Sequence, residues 1–192
     1  MVNGEQWMQD GIQCDLTIIE CLDYTHKWSE ELPVAPSPNL PNHRSVLLYP
    51  SLCFFEGTVV SIGRGTDSPF QHIGHPSSSD QSYQFTPSSG PGSKYPKLEN
   101  QPCYGIDLTN QNERFIKSQN QLELVYILDF YKDLDMGEDF FLENRFIDKL
   151  AGSDNLRNQI MAGLKEDQIR LSWRKDLEDF MKVRAKYLLY ED

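Results

Sequence analysis

Residues 47–66 read Leu-Leu-Tyr-Pro-Ser-Leu-Cys-Phe-Phe-Glu-Gly-Thr-Val-Val-Ser-Ile-Gly-Arg-Gly-Thr. A dense apolar run ends in one carboxylate, Glu56, followed at once by Gly57, which places the acid at the rim of a core instead of on a solvated face. Arg64 follows between Gly63 and Gly65, with Thr66 behind it. Glycines on both sides let the backbone approach a ligand closely while the guanidinium points at it. From chemistry alone two readings of the pair stay open. It is a half-buried ion pair that serves structure, or an acid and a cation gathered in a site.

Working outward, the apolar positions Val46, Leu47, Tyr49, Leu52, Phe54 and Phe55 suit a short buried helix from Asn42, broken near Pro50, while periodicity alone leaves a strand open there. Val59–Gly63 and Phe70–His75 read as strands around the Gly-Arg-Gly turn. Residues 76–102 turn rich in Ser and Pro, yet Tyr83, Phe85 and Tyr95 interrupt them, so a long loop with a strand at Tyr83–Thr86 is expected. Tyr104–Leu108 reads as a returning strand. The period then becomes helical. Leu124, Ile127, Leu128, Tyr131 and Leu134 predict a helix over 119–134, and Ser153-Asp154-Asn155 caps another with Leu156, Ile160 and Leu164 inward. A third, over 175–189, is expected to bury Leu177, Phe180 and Met181. Charge runs such as Lys132-Asp133-Leu134-Asp135 read as solvated surface. Strands and helices do not alternate, so the fold class is α+β: a small mixed or antiparallel sheet packed against C-terminal helices.

Before the decisive stretch, Cys14–Leu22 is a β-branched run of strand length, and Leu32–Pro41, with Pro at 33, 36, 38 and 41, suits an extended connection. Length and composition fit a globular domain, with 39% hydrophobic and 24% charged residues among 192. The formal charge of −11 argues against a nucleic-acid surface, which needs a supply of Lys and Arg. No apolar run has the length of a transmembrane segment. Cys14, Cys21, Cys53 and Cys103 lack paired metal-ligand spacing and are expected to be mostly buried thiols. His72 and His75 are separated by two residues but lack an adjacent Glu on a helix, so no metal and no cofactor is expected.

The runs Tyr49–Thr58, Gly63-Arg64-Gly65-Thr66-Asp67, Pro69-Phe70 and Gly74-His75-Pro76 resemble the signature of the NamZ-type exo-β-N-acetylmuramidases. Upstream Leu32-Pro33-Val34 and Pro36–Pro41, and downstream Cys103–Leu108 and Lys186–Asp192, are similar to the same family in the same order. The resemblance implies a bacterial glycosidase that removes N-acetylmuramic acid from the ends of peptidoglycan fragments, from a parent family usually exported. It implies that residues 1–31 are the tail of a preceding Rossmann-like domain and its linker, and that 32–192 are the C-terminal α+β domain. The Rossmann-like domain, carrying its own acid, is expected outside these 192 residues.

On this resemblance Glu56 is the catalytic carboxylate candidate. Arg64 is a binder of the muramic acid lactyl carboxylate, since a guanidinium pairs with a carboxylate through two bonds. Thr66, His75, Asn39, Tyr49 and Tyr104 complete the expected substrate contacts, though His75 suits ordering of its own loop equally, and Asn39 beside Pro suits a turn. With one good acid in view, the chain alone is expected to be weak or inert, because glycoside hydrolysis uses two carboxyl groups. The competing reading is a non-catalytic carbohydrate-binding or interaction domain.

Overall fold

The computed structural model describes residues 1–26 and 32–190, which divide into two units. The larger, 32–169, holds the core and the sheet. Asn42 opens helix α1 (His43–Leu52): its Oδ1 accepts from Ser45 N–H at 2.9 Å, and Ser45 Oγ accepts from Asn42 N–H at 3.4 Å. The expected break at Pro50 does not occur. The helix runs through the exposed proline and tightens after Leu52 into a 3-10 turn, Cys53–Gly57. Pro50 lacks an N–H, so one bond is missing, and its ring faces outward where no packing is disturbed.

Strands β1 (His72–His75), β2 (Tyr83–Phe85) and β3 (Cys103–Asp107) form an antiparallel sheet in the order β1-β3-β2. Gly74 faces Gly105, and Tyr83 pairs with Gly105 from the other side. The strand expected at Val59–Gly63 is reduced to a single bridge, Ser61 to Gly74, next to a second at Thr58 to Phe141. The chain leaves β1 after one exchange of bonds at 2.9 Å, because Gly63 and Gly65 turn it away with positive φ. Thr58 Oγ1 also bends inward to Phe55 O at 2.9 Å.

Short helices α2 (Glu113–Gln119), α3 (Val125–Leu134), α4 (Phe146–Ala151) and α5 (Asn155–Met161) follow. The helix expected over 119–134 starts only at Val125, because Asn120, with its left-handed backbone (φ 48°), ends the preceding α2 and the chain turns before α3 begins. Ile127, Phe130, Ile147, Leu156 and Ile160 point into the core, and Phe55 meets Phe130 edge to face at 5.7 Å. Phe130 abuts the sheet: a Cβ added at Gly105 would lie 2.8 Å from its ring. Asp133, expected on a solvated face, instead ties the serine-rich loop to α3, accepting from Ser78 Oγ at 2.8 Å and from Ser79 N–H at 3.1 Å.

The smaller unit comprises 1–31 and 170–192. Its residues 12–21 form no strand, against the expectation for Cys14–Leu22. The last helix, α6 (Glu166–Ala185), begins nine residues before the expected Lys175. Leu177, Phe180 and Met181, expected in a core, are 57%, 40% and 48% exposed. Cys14 and Cys21 are exposed free thiols, whereas Cys103 is buried and Cys53 partly so. Glu191 and Asp192, which end the closing motif, lie outside the described residues.

Candidate functional site

The 3-10 turn Cys53–Gly57 buries Phe54 and Phe55 and leaves Glu56 at the rim of the core, 21% exposed at its side chain. Gly63 (φ 73°) and Gly65 (φ 85°) provide the left-handed positions of the following turn, which swings Arg64 back over that rim. Arg64 Nη1 donates to Glu56 Oε1 at 2.7 Å. The remaining guanidinium nitrogens make no hydrogen bond among the described residues, and the Arg64 side chain is 39% exposed. One edge of the fork is therefore committed and the other free.

Both residues line a cavity of about 290 Å³ with Val60, Ser61, Ile62, Ser93, Tyr95 and Lys97. Larger hollows exist among the described residues: one of about 410 Å³ between α1 and the α2–α3 segment, one of about 590 Å³ beside α3 and the start of α6, and one of about 470 Å³ at Arg44 and residues 110–114. The last also holds an ion pair, Arg44 with Glu113 at 3.3 Å, but that carboxylate is 39% exposed against 21% for Glu56, so the smaller cavity holds the more buried acid.

Lys97 is the residue that sequence reading missed. Its ammonium donates to three backbone carbonyls, those of Phe55 (3.0 Å), Thr58 and Val60 (3.1 Å). It thereby clasps the segment that carries Glu56. Burial pulls its pKa down to about 8; the Glu56 charge acts against that and Arg64 with it. Lys94 and Lys97 are the only cations in 76–102, and no neighbouring residue type marks which of them is buried: Tyr95 is exposed and pairs with Lys94. Cys53, close to Glu56, has its thiol pushed up to about 11 by burial and then by the Glu56 charge, so it stays protonated and is no nucleophile at neutral pH.

The other expected contacts do not line this cavity. Thr66 closes its own turn, donating to Gly63 O at 2.7 Å and accepting from Ser68 N–H at 3.1 Å. Asn39 Nδ2 donates to Gly92 O at 2.7 Å, steadying the chain next to Ser93. Tyr49 packs tilted against Phe70, ring centres 5.0 Å apart; its pKa is raised by burial first, then by charge at Cys53 and Glu56, so it lies within electrostatic reach of the pair. Tyr104 sits half-buried in the central strand β3. His75 Nδ1 accepts from Ser77 N–H at 3.1 Å, ordering its own loop.

His72 and His75 are three residues apart on one strand and so face opposite sides of the sheet, which parts them as a ligand pair. His72 Nε2 lies 3.0 Å from Tyr83 Oη and 3.6 Å from Asp107 Oδ1. Burial lowers the pKa of both histidines; Asp107 works against this at His72, and Lys97 works with it at His75.

The family model for the exo-beta-N-acetylmuramidase NamZ, C-terminal, matches residues 47–190. The peptidoglycan beta-N-acetylmuramidase NamZ of Bacillus subtilis is 33% identical over 197 residues, covering 93% of this chain and 46% of that protein. A crystal structure of a DUF1343 family protein from Bacteroides fragilis aligns with a TM-score of 0.92 at 45% identity, over 100% of this chain and 53% of that one. A second DUF1343 protein of that organism aligns at 0.72 and 21% identity, over 99% and 54%, a likeness of fold alone. The chain thus spans about half the length of these relatives. On the match from Leu47 to Tyr190, which contains the whole Glu56–Arg64 segment, this chain belongs to the family of NamZ exo-β-N-acetylmuramidase C-terminal domains.

Proposed function

We propose that this chain is the site-completing half of an exo-β-N-acetylmuramidase that hydrolyses terminal N-acetylmuramic acid from peptidoglycan fragments in cell-wall turnover. One observation carries the reading: Glu56 is the sole carboxylate among the described residues lining a small cavity, and it is held there by Arg64 at 2.7 Å. A site at the low end of ligand-cavity sizes suits one terminal sugar better than a long glycan. While the Arg64 bond lasts, Glu56 offers a carboxylate for attack on the anomeric carbon or for activating water. The free edge of Arg64 meets the lactyl carboxylate that distinguishes muramic acid from other N-acetylhexosamines.

Hydrolysis of a glycosidic bond uses two carboxyl groups about 5–9 Å apart. Asp67 is exposed, and Asp107 is engaged at His72 and Thr109, so neither serves as the second. The partner acid belongs to the Rossmann-like half expected from the resemblance, and the site is completed between the two halves of the enzyme.

The ion pair also favours a second reading. Glu56 and Arg64 satisfy one another, as they would in a non-catalytic carbohydrate-binding domain that kept the shape without the chemistry. A chromogenic N-acetylmuramide, offered to the chain with and without the complementary half of the Bacteroides fragilis relative, separates the two. The enzymatic reading predicts release of chromophore only with both halves present. Binding without turnover in either case would favour the second.

A further inference from the structure

Tyr95 is the one aromatic side chain among the described residues that line the Glu56–Arg64 cavity, and it is 79% exposed. The lining has an order of depth. Val60, Ser61 and Ile62 are buried and make the floor, Glu56 and Arg64 are half-buried, and Tyr95 stands at the opening. Its hydroxyl makes no hydrogen bond and its ring has no aromatic partner among the described residues; the Lys94 ammonium lies over the ring, 5.3 Å from its centre.

The backbone that carries this ring is held on both sides. Ser93 is buried and exchanges two backbone bonds with Gly90, at 3.0 and 3.1 Å. Pro96 is buried against the turn that bears Arg64: a Cβ added at Gly65 would lie 2.7 Å from Pro96 Cβ, and Ser88 N–H donates to Gly65 O at 2.8 Å. Lys97 is bonded to the carbonyls of Phe55, Thr58 and Val60. A large ring with few torsions is thus presented from a fixed rim, so little freedom is lost when a ligand covers it.

A lone exposed aromatic is ordinary on a protein surface, and position distinguishes this one. On the exo-acting reading above, the bond to be broken lies one sugar from the end of the substrate. A cavity of about 290 Å³ has room for that terminal sugar, so the next sugar has to lie at the opening, where Tyr95 stands. In peptidoglycan the next sugar is a β-linked N-acetylglucosamine. Its ring substituents are equatorial, which leaves a flat face of axial C–H bonds, and such a face packs on the electron-rich face of an aromatic ring.

We propose that Tyr95 is the platform for the sugar on the leaving side of the scissile bond, and so sets a preference for a saccharide over a small leaving group. The inference rests on the substrate class of the reading above but not on the chemistry assigned to Glu56.

The test uses this chain fused covalently to the complementary half of the Bacteroides fragilis relative, with two compounds that share the terminal sugar: N-acetylmuramyl-β-1,4-N-acetylglucosamine and methyl N-acetyl-β-muramide. Tyr95→Ala is expected to lower the ratio of their kcat/KM values, disaccharide over methyl glycoside, by about tenfold. Tyr95→Phe, which keeps the ring, is expected to hold that ratio within about twofold of the parent. An unchanged ratio in Tyr95→Ala overturns the proposal, whether neither compound is affected or both fall together; the second pattern puts the ring in the terminal-sugar pocket or against the other half of the enzyme. A loss in Tyr95→Phe as large as in Tyr95→Ala overturns it too, because the hydroxyl and not the ring would then be the contact. If the fusion hydrolyses neither compound, the enzymatic reading fails and calorimetric titration with the disaccharide still decides. A Kd about tenfold weaker in Tyr95→Ala than in the parent keeps the platform, whereas equal affinity, or no binding by the parent, overturns it.

Discussion

Replacing Gly57 by Ala tests whether packing holds the acid at the rim of the core. Gly57 ends the 3-10 turn directly after Glu56, is buried, and its carbonyl accepts from Leu142 N–H at 3.0 Å. An added Cβ would lie 2.4 Å from Ile147 N and 2.7 Å from Ile147 Cα, and Ile147 is fully buried at the start of α4. Because the obstacle is backbone, no rotamer relieves it. Ordinary carbon contacts begin near 3.5 Å, so the turn and α4 must separate by roughly 1 Å. Such overpacking costs about 1–3 kcal/mol, and a backbone obstacle belongs at the upper end. The loss of unfolded-chain freedom returns about 0.4–1 kcal/mol, leaving a net destabilisation of about 2 kcal/mol. Urea unfolding of the 32–169 unit should then move its midpoint down by about 1 M at unchanged slope. Gly90, where an added Cβ meets nothing within 4 Å, is the control: Gly90→Ala should be neutral or slightly stabilising. A Gly57→Ala midpoint within about 0.2 M of the parent chain would refute the reasoning, because the turn could then move away from α4 freely.

With both halves of the enzyme present, Arg64→Ala should raise KM for an N-acetylmuramide by about 10- to 100-fold, the range for one charge-assisted bond, and much less for an N-acetylglucosaminide that lacks the lactyl group. Arg64→Lys keeps the charge but not the fork and should fall between; equal effects on the two substrates would remove lactyl recognition from Arg64. Lys97 makes stability depend on alkaline pH. Its folded pKa of about 8 lies below the ordinary 10.5, so between those values the unfolded chain holds a proton that the folded chain has released. The penalty for burying the charge is complete below about pH 8 and disappears as pH rises toward 10.5, so stability from this group rises across that window. The stability of the parent chain minus that of Lys97→Met should therefore climb between pH 8 and 10.5, and a flat difference would show that the amine is not desolvated.

Much of the fold was legible because it is written in local pattern. The Glu56–Arg64 pair was visible because a carboxylate after an apolar run and a cation between glycines are both short-range signals. Helix spacing at Ile127, Leu128 and Tyr131 located α3, although the left-handed Asn120 that separates it from α2 is a backbone event that periodicity does not register. Val59–Gly63 carried strand composition, but two glycines with positive φ allowed it only a single bridge to β1. Lys97 was illegible for a different reason. It meets carbonyls 37 to 42 residues earlier in the chain, and a backbone acceptor has no residue type to recognise. Asp133 was misread likewise, since its serine partners lie 54 and 55 residues away and only the folded loop brings them together. Cys14–Leu22 was read as a strand from composition, which does not register that its ends are tied by side chains, Asn3 at Cys14 and Tyr190 at Cys21, instead of by a neighbouring strand.

Whether Glu56 performs chemistry or merely pairs with Arg64 is decided by Glu56→Gln in the two-half enzyme. The substitution keeps the shape and a hydrogen-bond acceptor for Arg64 while removing the charge. If Glu56 is catalytic, kcat on a chromogenic N-acetylmuramide falls by about 10²-fold or more, with KM nearly unchanged and the midpoint of urea unfolding close to that of the parent. A Glu56→Gln enzyme whose folded fraction turns over at the parental rate, with only its stability lowered, would contradict the account and make the pair a structural salt bridge.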